Sequence, residues 1–363
     1  MKIISEHSCK IMAGVPEKDV NRKMEVFYNP LMVSNRNISI TLLNNIENKN
    51  IKLALPLAGS GVRGLRFLKE LKRGKVKEIY VNDLKDNFEK EFSNNLELSG
   101  IKTNKVKIHN EEANLFLLNQ PGFDYIDLDP FGTPNPFLAS AVARISRKGI
   151  LAITATDTAA LSGTYSKVTL RKYWARSLRN YMMHEIGLRI LIRKVQLQGV
   201  QFDKALIPVL GYHKDHYFRI YFVASKGKEK CDEIIKQHQY LLFCHKCLNF
   251  KPSLLNSGNC ECGNQFDYAG PLWVGNLFDS KLIGKMAKTN KFPEEQKFLN
   301  LLKEESKSDL LGFYDLHTIG KRYKFPLPKQ EPIIKKVNGT RTHFLLTGIK
   351  TKKGIKEIIK SIK

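Results

Sequence analysis

Between residues 51 and 154 five β-prone runs alternate with helical segments, and few folds accommodate that order. Residues 51–57, 77–82, 106–109, 123–128 and 149–154 read as strands, rich in Val, Ile, Leu and Tyr. A glycine-rich loop opens a helix running to residue 71; further helices fall over 86–98, stopped by Gly100, and over 136–145. Repeated βα order implies a mainly parallel, doubly wound sheet of the α/β class. In such sheets ligands bind beyond the carboxyl ends of the strands.

Three of those strand ends carry acceptor-bearing loops. After the first, Gly59-Ser60-Gly61-Val62-Arg63-Gly64 matches G-x-G-x-x-G, whose glycines let the main chain approach a ligand at a helix N-terminus. Alone it fits a nicotinamide site, a methyl-donor site or a tight turn. Asp83 ends the second strand, where a carboxylate can accept from two ribose hydroxyls. Glu112 follows the third, where a carboxyl or a backbone amide reaches an adenine edge. Singly, either acid is equally at home as a helix N-cap. In succession the three loops point to a nucleoside ligand.

The fourth strand separates the cofactor classes. It stops at Asp129-Pro130-Phe131-Gly132, because proline cannot donate a ladder hydrogen bond and glycine frees the turn. The tetrad resembles the Asp/Asn-Pro-Pro-aromatic motif of methyltransferases acting on exocyclic amino groups. Such an amino group is a poor nucleophile, since its lone pair is delocalised into the ring. A carboxylate and a nearby carbonyl, here Asp129 and the main chain of Pro130, can accept its two hydrogens. Phe131 can stack on a base withdrawn from its helix. A dehydrogenase has no need of this set.

Net charge is +25 over 363 residues, which favours a polyanionic partner, nucleic acid first, although surface lysine also serves solubility and heat stability. About half of the surplus lies after residue 225. Lys226-Gly227-Lys228 is the expected boundary between domains over 1–225 and 226–363. No apolar run approaches the roughly 18 residues of a membrane span, and the N-terminus lacks a signal-peptide plan. A cytoplasmic protein without a membrane partner, and a monomer, are the expectations. Cys244, Cys247, Cys260 and Cys262 form a C-x₂-C…C-x-C set over 244–262, and four thiolates in two close pairs suit a structural zinc ion. Disulfides, credible in a heat-loving archaeon, and an unmetallated remnant are the alternatives. His245 reads as solvent-facing rather than as a ligand. Helices over 293–303 and 314–323, β-prone residues 342–346 and a basic terminal helix from 352 suit a small winged-helix-like region.

Several stretches then act jointly. They are Phe27-Tyr28-Asn29-Pro30, Asn35-Arg36, the loop over 59–66, Asn82-Asp83, Asn110-Glu111-Glu112-Ala113-Asn114, Asp127-Leu128-Asp129-Pro130-Phe131-Gly132 and Thr154-Ala155-Thr156-Asp157-Thr158-Ala159. Together they resemble the tRNA (guanine-N2)-dimethyltransferase family, in its short archaeal type, over nearly the whole chain. The resemblance implies a class I, Rossmann-like S-adenosylmethionine-dependent methyltransferase domain, followed by a smaller α+β domain with a four-cysteine zinc module that binds tRNA. It implies transfer of one or two methyl groups to N2 of guanosine 26.

The resemblance also implies roles. Asp129 is the catalytic carboxylate, Pro130 lends its carbonyl, and Phe131 and Phe27 sandwich the flipped guanine. Arg36, Arg66, Asp83, Glu112 and Ala113 hold the cofactor, with an arginine beside the methionine carboxylate. Arg63 is a second candidate for that arginine, and the residues alone do not rank it against Arg66. Departures from the family pattern are Leu55 where an acid often ends strand one, Asn37 for a frequent aspartate, Glu112 for the usual aspartate, and Ala160 and Ser162 for Pro and Cys. Other readings are an RNA-binding protein with a degenerate nucleotide domain and an adenine- or cytosine-amino DNA methyltransferase. The intact Asp129 and glycine loop speak against degeneracy. The basic C-terminal part and the resemblance favour tRNA over DNA.

Overall fold

The computed structural model describes residues 2–14, 28–326 and 329–362. Phe27 lies outside the described residues. The chain forms two compact units, the first built from Met1–Thr156, Tyr221–Lys226 and Lys288–Glu295.

The first unit opens with an antiparallel hairpin, β1 (Lys2–Glu6) and β2 (Cys9–Ala13). Asn29 then caps a single 3₁₀ turn, Pro30–Met32, its Oδ1 accepting from the Leu31 amide at 2.9 Å. Pro30 suits this first helical position because its φ is preset and its missing N–H would be unsatisfied anyway. Helix α1 (Val33–Asn45) follows.

The alternating core then runs β3 (Ile51–Leu55), α2 (Val62–Glu70), β4 (Val76–Asn82), α3 (Phe88–Leu98), β5 (Val106–His109), α4 (Ala113–Asn119), β6 (Phe123–Leu128), α5 (Leu138–Arg144) and β7 (Ile145–Ala155). Strands β3 to β7 pair in parallel, with Leu53 between Ile79 and Tyr125, and Leu128 opposite Ile153. Leu53, Ile79, Val81, Tyr125, Ile126, Leu128 and Ile153 are fully buried, as the strands of a sheet covered on both faces require. The α/β class expected from the sequence is the one adopted.

The complete sheet has seven strands in the order β5-β4-β3-β6-β7-β9-β8, where β8 (Lys204–Lys214) and β9 (Tyr217–Lys226) are consecutive strands. The chain enters at β3, moves outward through β4 and β5, and returns to the other side of β3 as β6. The order therefore reverses between β3 and β6. The loop after β3 and the end of β6 flank the crevice where doubly wound sheets bind ligands.

The second unit comprises Asp157–Ile220, Gly227–Ala287 and Gln296–Lys363. It holds α6 (Thr158–Leu161), α7 (Ser166–Tyr173), α8 (Met183–Val200) and α9 (Lys228–Lys236). The strands β10 (His238–Phe243), β11 (Phe250–Ser253) and β12 (Asp267–Trp273) form a sheet of order β11-β10-β12. Helices α10 (Ser280–Thr289) and α11 (Gln296–Glu305) lead to β13 (Tyr314–Asp315), α12 (Leu316–Tyr323), α13 (Gln330–Lys336), β14 (Thr340–Thr342), β15 (Leu345–Lys350) and α14 (Ile355–Ile362). Of the segment expected to be helical from 314, the first two residues are strand, and Asp315 caps α12 by accepting from the amides of His317 and Thr318. The sheet there runs β13-β15-β14.

The basic residues of helix α8 are not all solvated: Arg189 and Lys194 are buried with Leu188, Ile190, Leu191 and Ile192. A helix buried on nearly all sides must satisfy its cations internally. Among the described residues no helix is long and apolar enough to cross a membrane.

Candidate active site and metal centre

The glycine loop fits its place for two separate reasons. Gly61 caps α2 with φ +73°, and a Cβ there would lie 2.1 Å from the Phe92 ring, so only glycine is accommodated. Gly64 lets α2 approach the sheet, since a Cβ would meet Leu55 and Val81 at 3.2 Å. The Gly59 amide donates to Asp83 Oδ2 at 2.7 Å, while Oδ1 accepts from the Lys85 amide at 3.3 Å. A carboxylate offers about four lone pairs, so Asp83 keeps acceptor capacity for a ligand. Asn82 Nδ2 donates to the carbonyls of Pro56 and Glu111, and Asn110 Nδ2 to those of Asp83 and Lys85. The loops after β3, β4 and β5 are thereby laced into one rim. Glu112 caps α4, its Oε2 accepting from the amides of Asn114 and Leu115 at 2.8 and 3.0 Å; Ala113 is buried as the first helical residue.

Asp129 stands at the end of β6. Pro130 behind it is buried and Phe131 is half-buried. Gly132, with φ +79°, exchanges two hydrogen bonds with Thr156: its amide donates to Thr156 Oγ1 at 2.7 Å and its carbonyl accepts from the Thr156 amide at 2.9 Å. The turn is thus pinned to the end of β7. Arg63 Nη2 lies 2.5 Å from Asp129 Oδ2, and Nη1 lies 3.4 Å from Asp127 Oδ2. Residues 127 and 129 share one side of the strand, so one guanidinium reaches both carboxylates. Arg63 is itself oriented by Asn35 Oδ1 and Ser39 Oγ, each at 3.0 Å. The two acids differ in access. Asp127 is buried and accepts from the Tyr125 hydroxyl at 2.5 Å, whereas the Asp129 side chain keeps 20% of its surface exposed. Of the two carboxylates, Asp129 is the one open to solvent.

Arg36 and Arg66 lie in a different arrangement. Both are buried, and both meet Glu6, carried in by the N-terminal hairpin. Arg36 donates from Nε and Nη2 to the two Glu6 oxygens at 2.7 and 2.5 Å, the bidentate geometry of a strong pair. Arg66 Nη1 reaches Glu6 Oε1 at 2.8 Å, and its other nitrogens reach Glu70 and Asn37 Oδ1. The Tyr28 hydroxyl donates to Glu6 Oε2 at 2.9 Å. Burial by itself would raise the Glu6 carboxyl, but the charge and hydrogen bonds of Arg36, followed by Arg66, outweigh it and hold the pKa at about 2. Sequence reasoning missed Glu6. The short apolar runs Ile3-Ile4 and Ile11-Met12 on either side of a polar His7-Ser8 turn could have suggested a hairpin, but nothing local marks Glu6 as the partner of Arg36 and Arg66. Arg63, unranked from the sequence, is the arginine found against Asp129.

The four cysteines come together in the second unit. Their sulfurs all lie within 4.8 Å of one another, with Cys244 and Cys262 at 3.5 Å and Cys247 and Cys260 at 3.4 Å. These separations are far beyond a disulfide bond of about 2.05 Å. They fit the edges of a tetrahedron around zinc, with Zn–S of about 2.3 Å. Two tight turns present them: Leu248 donates back to the Cys244 carbonyl, and Gly263, with φ +82°, to that of Cys260. His245 stays outside the set, its Nε2 3.0 Å from Asp267 Oδ2.

Comparison with known proteins gives this geometry a context. The family model for N2,N2-dimethylguanosine tRNA methyltransferase matches residues 4–363. The chain belongs to that family. The tRNA (guanine(26)-N(2)/guanine(27)-N(2))-dimethyltransferase of Aquifex aeolicus is 40% identical, with 100% of this chain and 96% of the relative covered. The tRNA (guanine(26)-N(2))-dimethyltransferase of Methanocaldococcus jannaschii is 37% identical, with 97% and 96% covered. Among solved structures, Trm1 from Pyrococcus horikoshii in complex with S-adenosyl-L-methionine superposes with a TM-score of 0.87 at 33% identity, over 100% of both chains. The family match takes in Glu6, the three arginines, Asp129 and all four cysteines.

Proposed function

We propose that this chain transfers one or two methyl groups from S-adenosylmethionine to the exocyclic N2 of guanosine 26 in tRNA. The observation that carries the reading is the accessible Asp129 carboxylate at the sheet's switch point, held by Arg63 beside the glycine loop. Family membership supplies the substrate class and the methyl donor.

The residues divide the work as follows. Asp129 accepts one N2–H of a flipped guanine and the Pro130 carbonyl accepts the other, which returns the lone pair to nitrogen. Phe131, with Phe27, stacks on the base. Arg63 fixes the orientation of Asp129, so attack starts from an aligned geometry. The proton released from N2 goes to Asp129. When bound, S-adenosylmethionine supplies an electrophilic methyl group on sulfur. The donor set suits it: Asp83 retains acceptor sites for ribose hydroxyls, and the positive-φ glycine loop allows close main-chain approach. Arg36, Arg66, Glu112 and Ala113 complete the cofactor site. An arginine whose partner is a side-chain carboxylate, as Glu6 is here, can exchange it for the carboxylate of a ligand. Within this proposal residues 1–225 form the methyltransferase domain, and 226–363, with a structural zinc at Cys244, Cys247, Cys260 and Cys262, the tRNA-binding domain.

The test is incubation with an unmodified tRNA transcript and labelled S-adenosylmethionine, followed by nucleoside mapping. The expected product is N2-methylated guanosine at position 26. Label on adenine or cytosine, or none, overturns the reading.

A further inference from the structure

Helix α7 in the second unit presents a surface that the proposed chemistry does not use. Lys167, Leu170, Arg171 and Trp174 recur at i, i+3, i+4 and i+7, which places them on one stripe. On an ordinary surface helix the apolar members of such a stripe face the core. Here the core side is taken by Thr169 and Tyr173, both fully buried. Leu170 and Trp174 are left 58% and 53% exposed, and Tyr165, just before the helix, 59%. Lys167 and Arg171 are exposed beside them.

Trp174 is held in an unusual way. It ends the helix with φ +55° and ψ +39°, a left-handed conformation that glycine adopts freely and a bulky side chain rarely does. Packing does not compensate, since half of the residue faces solvent. Lys194 Nζ sits 3.0 Å from the centre of its ring, so a cation backs the indole. Along the chain, between Asp157 and Glu185, there are five basic residues and no acidic one. Of these five, Arg176 pairs with Asp267 and Lys172 with Asp157, while Lys167, Arg171 and Arg179 point outward as exposed residues.

An exposed indole among cations matches the chemistry of an unpaired nucleotide, a π-face flanked by phosphates. We propose that Lys167, Arg171 and Trp174 form a docking stripe for tRNA, with an unpaired base stacked on Trp174 and neighbouring phosphates on the two cations. The proposal rests on the tRNA reading above for its ligand.

Trp174→Gly tests it without threatening the fold, because glycine suits φ +55°. The variant should melt near the wild-type temperature, because relief of the left-handed backbone strain offsets the lost Lys194–indole contact, bind tRNA transcript about tenfold more weakly, and keep kcat at saturating tRNA. Trp174→Tyr should recover most of the affinity. In Lys167→Ala/Arg171→Ala, the slope of log K against log salt should fall in magnitude by about 1.5, the loss of two phosphate contacts. Wild-type affinity and salt slope in these variants, with methylation intact in the wild type, would overturn the stripe and leave the methyltransferase reading standing. Variants that keep tRNA affinity but lose self-association in sedimentation would assign the stripe to a protein contact, which also overturns it. Absence of methylation in the wild type would remove the enzymatic reading, and direct tRNA binding would still judge the stripe.

Discussion

Two buried clusters of cations and carboxylates use the same chemistry to different ends. In the first unit Arg36 and Arg66 converge on Glu6, with Glu70 and Asn37 as further partners and Arg63–Asp129 nearby. In the second, Arg189 and Lys350 converge on Glu185, and Glu305 holds His343 and Thr342. The difference lies in where the donors end. Arg189 also donates to the carbonyls of Trp273, Gly275 and Leu310, and Lys350 to those of Leu310 and Gly312. Main-chain acceptors are fixed by the fold, so this cluster ties α8 to the strand and loop segments around it. Around Arg36 and Arg66 most partners are side chains, which a ligand carboxylate can replace. The two lessons are that a main-chain-anchored cluster serves folding, and a side-chain-anchored one leaves room for binding.

The sharpest way to break the comparison is to remove a charge from each cluster and ask what fails. Asp129→Ala should lower kcat about 10³–10⁴-fold on unmodified tRNA, about 4–5 kcal/mol in the barrier. Its melting temperature should stay near wild type, since the side chain is partly exposed. Substantial turnover with normal tRNA binding would remove Asp129 from the base role.

Glu185→Ala should do the reverse. Burial disfavours the Glu185 charge, but Lys350 and Arg189 outweigh it and hold its carboxyl below the usual range. Deleting it leaves two buried cations without their shared partner, at a cost of about 3–4 kcal/mol in folding stability. Denaturant unfolding measures this, and the folded fraction should methylate at the wild-type rate. A loss of turnover in excess of the unfolded fraction would mean that the second cluster also serves catalysis.

Glu6→Gln probes the first cluster through pH. The folded carboxyl sits at about 2, against 4.5 for the ordinary group, so it contributes stability above 4.5 that is lost as pH falls towards 2. The full difference is worth about 3 kcal/mol. Wild-type stability should therefore decline between pH 4.5 and 2, and the variant, less stable at neutral pH, should decline less over that window. Parallel acid limbs for the two proteins would show that Glu6 does not carry this dependence.

How legible each region was in the sequence follows from the range of its interactions. Strands β3 to β7 show through because burial on both faces demands short apolar runs, and Gly61 because its left-handed backbone and the adjacent Phe92 ring exclude any other residue. The position of Asp129 just beyond β6 is legible because Pro130 cannot continue the ladder and ends the strand there. Glu6 is not, because its partners lie 30 and 60 residues away. The return of residues 288–295 is hidden for the same reason. Glu295 accepts from Ser34 Oγ, and the ring of Phe292 lies 5.3 Å from the Arg66 guanidinium, contacts that no local pattern announces. The burial of Arg189 and Lys194 on α8 likewise depends on what packs around the helix. A sequence shows that they are charged and on a helix, and charged helix residues are usually solvated.

Glu112 tests where the comparison stops being clean. It belongs to the rim of the proposed cofactor site, yet one of its oxygens accepts from two main-chain amides, so like Arg189 and Lys350 it is anchored to the main chain. Its other oxygen accepts only the side-chain amide of Asn114 among the described residues, at 3.0 Å. Loss of a cap costs about 1 kcal/mol, so Glu112→Ala should lower the melting temperature by a few degrees. Glu112→Ser restores a capping oxygen without a carboxylate. If the carboxylate serves the ligand as well as the helix, Glu112→Ser recovers the melting temperature but binds S-adenosylmethionine several-fold more weakly than wild type in calorimetric titration, and that split is the expected outcome. Recovery of both properties would make Glu112 a cap alone, and would place it with Glu185 on the folding side of the comparison.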